Sequence, residues 1–110
     1  MNTKYVQTGD AVDYTPVADV KAGDVVVQND LTGVAKLDIK ADKLGALAVT
    51  GVFDFPKATG AGSAIAAGAK VWWDAALKQA TSVALVQGYL GKTVKAAADA
   101  DATVRVRLSQ

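Results

Sequence analysis

The stretch Ile65–Thr81, IAAGAKVWWDAALKQAT, decides the fold. At its centre Val71-Trp72-Trp73 places two indoles on consecutive residues, and consecutive side chains on a strand point to opposite faces. An extended reading sends one Trp into the core and leaves the other facing outward. A ring of that size calls for cover, and a neighbouring subunit is the obvious source. Self-association is therefore the first functional expectation, with Trp72 and Trp73 as subunit-interface candidates. The plain alternative is one core Trp and one partly exposed Trp with no partner. A third use of the outward ring is as a stacking platform, which makes a small carbohydrate- or surface-binding module the rival function.

The segment that follows, Asp74 to Val86, fits two periods. Asp74 suits the cap of a short helix with Leu77, Ala80 and Ala84 on one face. The other reading is a turn over Ala75 to Lys78 and a strand from Gln79 through Leu90. The later Val and Thr content and the glycines at 88 and 91 favour the strand. Upstream, Ala46 to Phe55 reads as one continuous strand with Leu47, Val49, Phe53 and Phe55 on its core face. Gly51 within that face predicts a bulge or a close approach. Pro56 to Gly68 is rich in Gly, Ala and Ser and reads as a flexible connection.

Further back, Val25-Val26-Val27, the turn Asn29-Asp30 and a strand from Gly33 to Ile39 predict a hairpin. Its punctuation echoes Ile65 to Ala75 as a weak internal repeat, so two similar hairpins are expected. Ala11 to Tyr14 is a short strand with Val12 and Tyr14 on one side. Lys95 to Ala102 reads as a turn. Thr103 to Leu108 closes the chain, with Val104, Val106 and Leu108 inside and Arg105 and Arg107 outside. The two arginines read either as contacts for a partner or as a solvated edge that discourages wrong strand pairing. The whole predicts a mainly β fold, a small antiparallel β-sandwich or barrel built from hairpins, with at most one short helix. Met1 to Thr8 is a polar N-terminal arm, and residues 9–110 form a single β-rich domain.

Composition narrows the function. With 110 residues the chain suits one small domain, for which oligomerisation adds useful burial. Twelve basic and eleven acidic residues are scattered along it, so no stretch of sequence gives the basic stripe expected of a nucleic-acid binder. Cys and His are absent, which removes disulfides, thiolate chemistry and the commonest general base and metal ligand. Every acidic residue is Asp. No signal core or membrane-length apolar run occurs, so a soluble protein made in a cytoplasm is expected.

The motifs that resemble chemistry fail on spacing. Gly91-Lys92-Thr93 ends like a phosphate-binding loop, but Val86 stands where that loop needs its first Gly. Gly60-Ala61-Gly62-Ser63-Ala64-Ile65 begins like a dinucleotide loop and lacks the third Gly. Asp99 and Asp101 are spaced like the start of a calcium loop without its later ligands. No catalytic, cofactor-binding or metal-binding residue is assigned, and no cofactor, nucleotide, nucleic-acid or membrane partner is expected.

Several motifs taken together resemble one family. They are Val6-Gln7-Thr8-Gly9-Asp10, Ala22-Gly23-Asp24-Val25-Val26, Leu47 to Lys57 (LAVTGVFDFPK), Gly68 to Asp74 (GAKVWWD) and Thr103 to Leu108 (TVRVRL). In this order they are similar to the capsid cement, or head decoration, proteins of tailed phages, which are sometimes labelled recombinases. The failed phosphate-loop spacing argues against the recombinase label. The resemblance implies a β-rich homotrimer on the outer surface of the mature head, bridging subunits of the major capsid protein. The long Ala-rich connection and the double Trp depart from the commoner pattern. For the capsid contact the candidate is the arm, Asn2, Thr3, Lys4, Tyr5, Val6 and Gln7, adding as an edge strand to a capsid element.

Overall fold

Short β-branched runs separated by Gly, Asn and Asp turns fold into two antiparallel sheets in the computed structural model, which describes residues 3–110. The first sheet contains β1 (Ala11–Tyr14), β2 (Val25–Gln28), β3 (Leu31–Val34) and β4 (Gly45–Ala48), in the order β1-β4-β3-β2. The second contains β5 (Gly51–Pro56), β6 (Lys70–Asp74), β7 (Gln79–Thr81), β8 (Tyr89–Thr93) and β9 (Thr103–Leu108), in the order β5-β9-β8-β6-β7. No helix occurs among the described residues. The mainly β, sandwich-like expectation holds.

Both expected hairpins form. β2 and β3 join through Asn29-Asp30, where Asn29 takes the left-handed conformation (φ 52°) that this tight turn needs. β6 and β7 join through Ala75 to Lys78. There the Asp74 carboxylate accepts the backbone N–H groups of Ala76 and Leu77 at 3.0 and 3.2 Å, so Asp74 holds a turn and caps no helix.

Three expected strands are corrected. The run Ala46 to Phe55 is two strands in different sheets. The chain leaves β4 at Ala48 and enters β5 at Gly51, whose φ of 122° is open only to glycine without strain. Alternation continues across this switch, which is why periodicity alone reads it as one strand. The strand expected from Gln79 to Leu90 stops at Thr81. Val83, Leu85 and Val86 have no strand partner and lie in an exposed loop. The strand expected from Gly33 to Ile39 ends at Val34, and Ile39 instead makes an isolated bridge to Val20.

The larger core lies on the inner face of the second sheet. Phe55, Ile65, Val71, Trp73, Leu90, Val104, Val106 and Leu108 pack together with Val34 from the first sheet. Each such fully buried side chain contributes about 1.5–3 kcal/mol. A smaller cluster of Ala35, Ile39 and Leu47, with Val12, Tyr14, Val20 and Val26 against it, serves the first sheet. The second sheet curls far enough for Lys57, just beyond β5, to bridge Ala80 of β7 in parallel.

The connection after Pro56 is strapped down along its length, which corrects its reading as a flexible link. Buried Lys57 donates from Nζ to the carbonyls of Ala58, Ala98 and Asp101 at 2.7, 3.1 and 2.9 Å. Asp99 accepts the Ala64 N–H at 2.8 Å, and Ile65 pairs with Ala97. The chain end is held as well. The side-chain amide of Gln110 accepts from the Thr32 N–H at 2.7 Å and donates to the Thr32 carbonyl, filling the stretch of β3 that β4 leaves unpaired.

Candidate functional surface

The outward face of the second sheet follows from register. On β9 Val104, Val106 and Leu108 are buried, so Thr103, Arg105 and Arg107 must face out. Pairing then sets the outer rows. Lys70 of β6 is opposite Lys92 of β8, Lys92 is opposite Arg107 of β9, and Arg107 is opposite Val52 of β5. All four side chains are exposed. Three cations thus stand side by side across three adjacent strands, spanning about 10 Å at the usual interstrand spacing.

A second outer row contains the sheet's ion pair. Asp54 lies opposite Arg105 and receives two hydrogen bonds from its guanidinium, at 2.9 and 3.1 Å. Those hydrogen bonds hold the Asp54 carboxyl below its ordinary value; slight desolvation opposes them, and the charges of Arg105 and Lys95 add to them. Asp54 in turn raises Arg105. This is the one salt bridge among the described residues, so Lys70, Lys92 and Arg107 have no carboxylate within 4.0 Å.

On the other flank of the cation row stand Trp72 and Tyr89. A bulge in β8 sets their pairing: Val71 faces Gly91, Trp72 faces Tyr89, and the extra residue, Leu90, turns fully inward. The two rings meet at 5.4 Å between centroids with a 59° tilt. Trp73 is the core indole, 8% exposed and tilted against Phe55 at 6.1 Å. The parity expected of the Trp pair is therefore resolved: Trp73 in, Trp72 out and half-buried.

The remaining sequence candidates are scattered. Asn2 lies outside the described residues. Thr3, Lys4, Tyr5, Val6 and Gln7 are exposed and outside any strand. They lead into β1 at the margin of the first sheet, and the Gln7 side-chain amide donates to the Ala11 carbonyl at 3.2 Å. Arg105 and Arg107 share a face, but β9 is not an edge. It lies between β5 and β8, which overturns their reading as guards against strand pairing. Sequence reading missed Lys70 and Lys92 as companions of Arg107. Their parity on strands was the available signal, but only cross-strand register brings the three together.

Gly91-Lys92-Thr93 belongs to β8, with Thr93 buried and its hydroxyl donating to the Ala66 carbonyl at 2.6 Å. Asp101 caps its own turn by accepting the Ala98 N–H at 2.8 Å. Among the described residues no three carboxylates gather into a cation site. Exposed apolar side chains do gather by sequence in the turn after β6 and the loop after β7, namely Leu77, Val83 and Val86.

Comparison with known families adds one finding. The family model described as phage cement protein matches residues 6–108. No curated protein and no solved structure matches the chain.

Proposed function

Since the chain belongs to the phage cement protein family, a structural family of the phage capsid, we propose that it decorates the outside of the mature head and stabilises it. The observation that carries this reading is the extent of the match, which covers every strand of both sheets. In this reading the protein is made in the host cytoplasm, assembles as a homotrimer and bridges subunits of the major capsid protein. Residues 9–110 act as one rigid unit preceded by the arm.

Three copies held together place three weak contacts at high effective concentration, so avidity exceeds single-site affinity by about 10²–10⁴. No reactive group is needed. Support for self-association comes from Leu77, Val83 and Val86, large apolar side chains left in water, and from the half-buried ring of Trp72. A sugar-stacking role for Trp72 gains no comparable support, because its ring is tilted against Tyr89.

Two measurements test the reading. Light scattering of the purified protein should give a mass about three times 11.3 kDa. Expanded heads of the encoding phage, prepared without this protein, should take it up to saturation and then resist heat or chelation better. A lone protomer that ignores such heads would end the proposal. Removal of residues 1–8 should leave the trimer folded and abolish uptake; full uptake by that truncation would take the arm out of the account.

A further inference from the structure

Three like charges in direct cross-strand register repel one another, and a folded sheet gains nothing from them in isolation. Lys70, Lys92 and Arg107 form such a row, and the two carboxylates on the strands of this sheet are already engaged. Asp54 is paired with Arg105, and Asp74, further along β6, accepts from its own turn. Guarding an edge cannot explain the row, since β6, β8 and β9 are the three interior strands of their sheet. The row ends on β5 at exposed Val52 and is bordered along the strands by the Trp72–Tyr89 pair on one side and by the Asp54–Arg105 pair with exposed Val94 on the other. Aromatic residues and Arg, which this face brings together, are among the types enriched in protein contacts.

We propose that the outer face of the second sheet is a docking surface for an acidic patch on the capsid shell, with carboxylates meeting Lys70, Lys92 and Arg107. The inference rests on the capsid reading and names the chemistry of the surface that this face recognises. Charge complementarity selects the occupant. This face carries Lys70, Lys92, Arg105 and Arg107, with Lys95 close by, against the two carboxylates Asp54 and Asp74, in a chain whose totals are twelve and eleven. The row spans only about 10 Å, and Asp54 and Asp74 share its face, so a long polyanion finds little to track. A compact carboxylate cluster fits, and a nucleic-acid backbone does not.

The test uses the full chain and heads of the encoding phage that lack it. Lys92→Glu and the pair Lys92→Glu/Arg107→Glu are compared with Lys36→Glu/Lys40→Glu, a control of equal charge change on the first sheet's side. Circular dichroism and thermal melting confirm folding for each. We expect the double variant to bind heads at least about tenfold more weakly, with the control unchanged. Wild-type binding should weaken as salt rises, and the double variant should lose most of that dependence. Neutral Lys92→Gln/Arg107→Gln should fall between the two. Wild-type uptake with an unaffected double variant overturns this inference and leaves the capsid reading standing. Failure of the wild type to bind heads overturns both. Tight binding of a single-stranded DNA oligonucleotide that the double variant loses would reassign the face to nucleic acid and overturn the inference as stated.

Discussion

Replacing Lys57 by Met probes the least ordinary stabilising feature of the molecule. The lysine is 6% exposed and has no carboxylate partner; its ammonium is held by three backbone carbonyls from two separate loops. Met keeps the unbranched stem and removes all three donors. The Ala98 carbonyl retains the Asp101 N–H at 3.0 Å, so the change orphans chiefly the carbonyls of Ala58 and Asp101. A hydrogen bond from a charged donor contributes about 1.5–3 kcal/mol, and relief from desolvating the ammonium offsets part of the loss. A net loss of about 2–4 kcal/mol is expected. Because Lys57 also makes the bridge to Ala80, the loss should appear as one shift of the whole second sheet. Urea unfolding followed by tryptophan fluorescence measures it directly, and a thermal scan should fall by about 4 °C for each kcal/mol lost. Lys57→Met melting within 1 °C of wild type would refute the reasoning, since the carbonyl cradle would then add nothing beyond packing of the stem.

Four further outcomes follow from named contacts. Thr32 is fully buried with no hydrogen-bond partner for its hydroxyl, so Thr32→Val should stabilise by about 1 kcal/mol in the same urea assay. Gln110→Ala removes the side-chain amide from Thr32, and hydrogen exchange should speed up at the amides of β2 and β3 while β8 and β9 keep their protection. Gly91 has φ 149° and a Cβ there would run into the carbonyl oxygen of Arg107, so Gly91→Ala should destabilise by more than about 3 kcal/mol and sharply reduce soluble yield. Asp54 has a folded value below its ordinary 3.8, so its contribution is present above that value and is lost as pH falls through the lower folded one. Thermal midpoints of Asp54→Asn and wild type should therefore converge on acidification, and added salt should narrow the gap at neutral pH, since the pair is exposed.

The parts of this fold legible in the sequence are those where side-chain parity alone carries the information. β9 alternates without a break, so its inward Val104, Val106 and Leu108 and outward arginines read correctly. The same rule separates Trp72 from Trp73. It fails where a strand changes partner without changing phase: Ala46 to Phe55 alternates smoothly through the switch at Gly51, and only the glycine hints at the break. Composition misleads over Val83 to Val86, because a β-branched run forms a strand only where a neighbour offers backbone to pair with. The strapped connection was hidden for another reason. Its Gly and Ala residues predict freedom, and the restraint comes from Lys57, Ser63 and Asp99 acting across a separation of about 35 to 44 residues. The cation row was invisible for a similar cause, since its members lie on three strands that only register aligns.

The passage between the two sheets is only Val49 and Thr50 long, and both are tied to Asp10: Val49 through its N–H to the carbonyl at 3.0 Å, Thr50 through its hydroxyl to the carboxylate at 3.2 Å. Gln110 adds a second rivet between the halves at Thr32. A coupling this short has almost no slack to take up. Load applied to one half reaches the other before either has moved by much. For the proposed brace across the seams of a pressurised shell, that stiffness would decide whether a gap opens before the brace begins to pull.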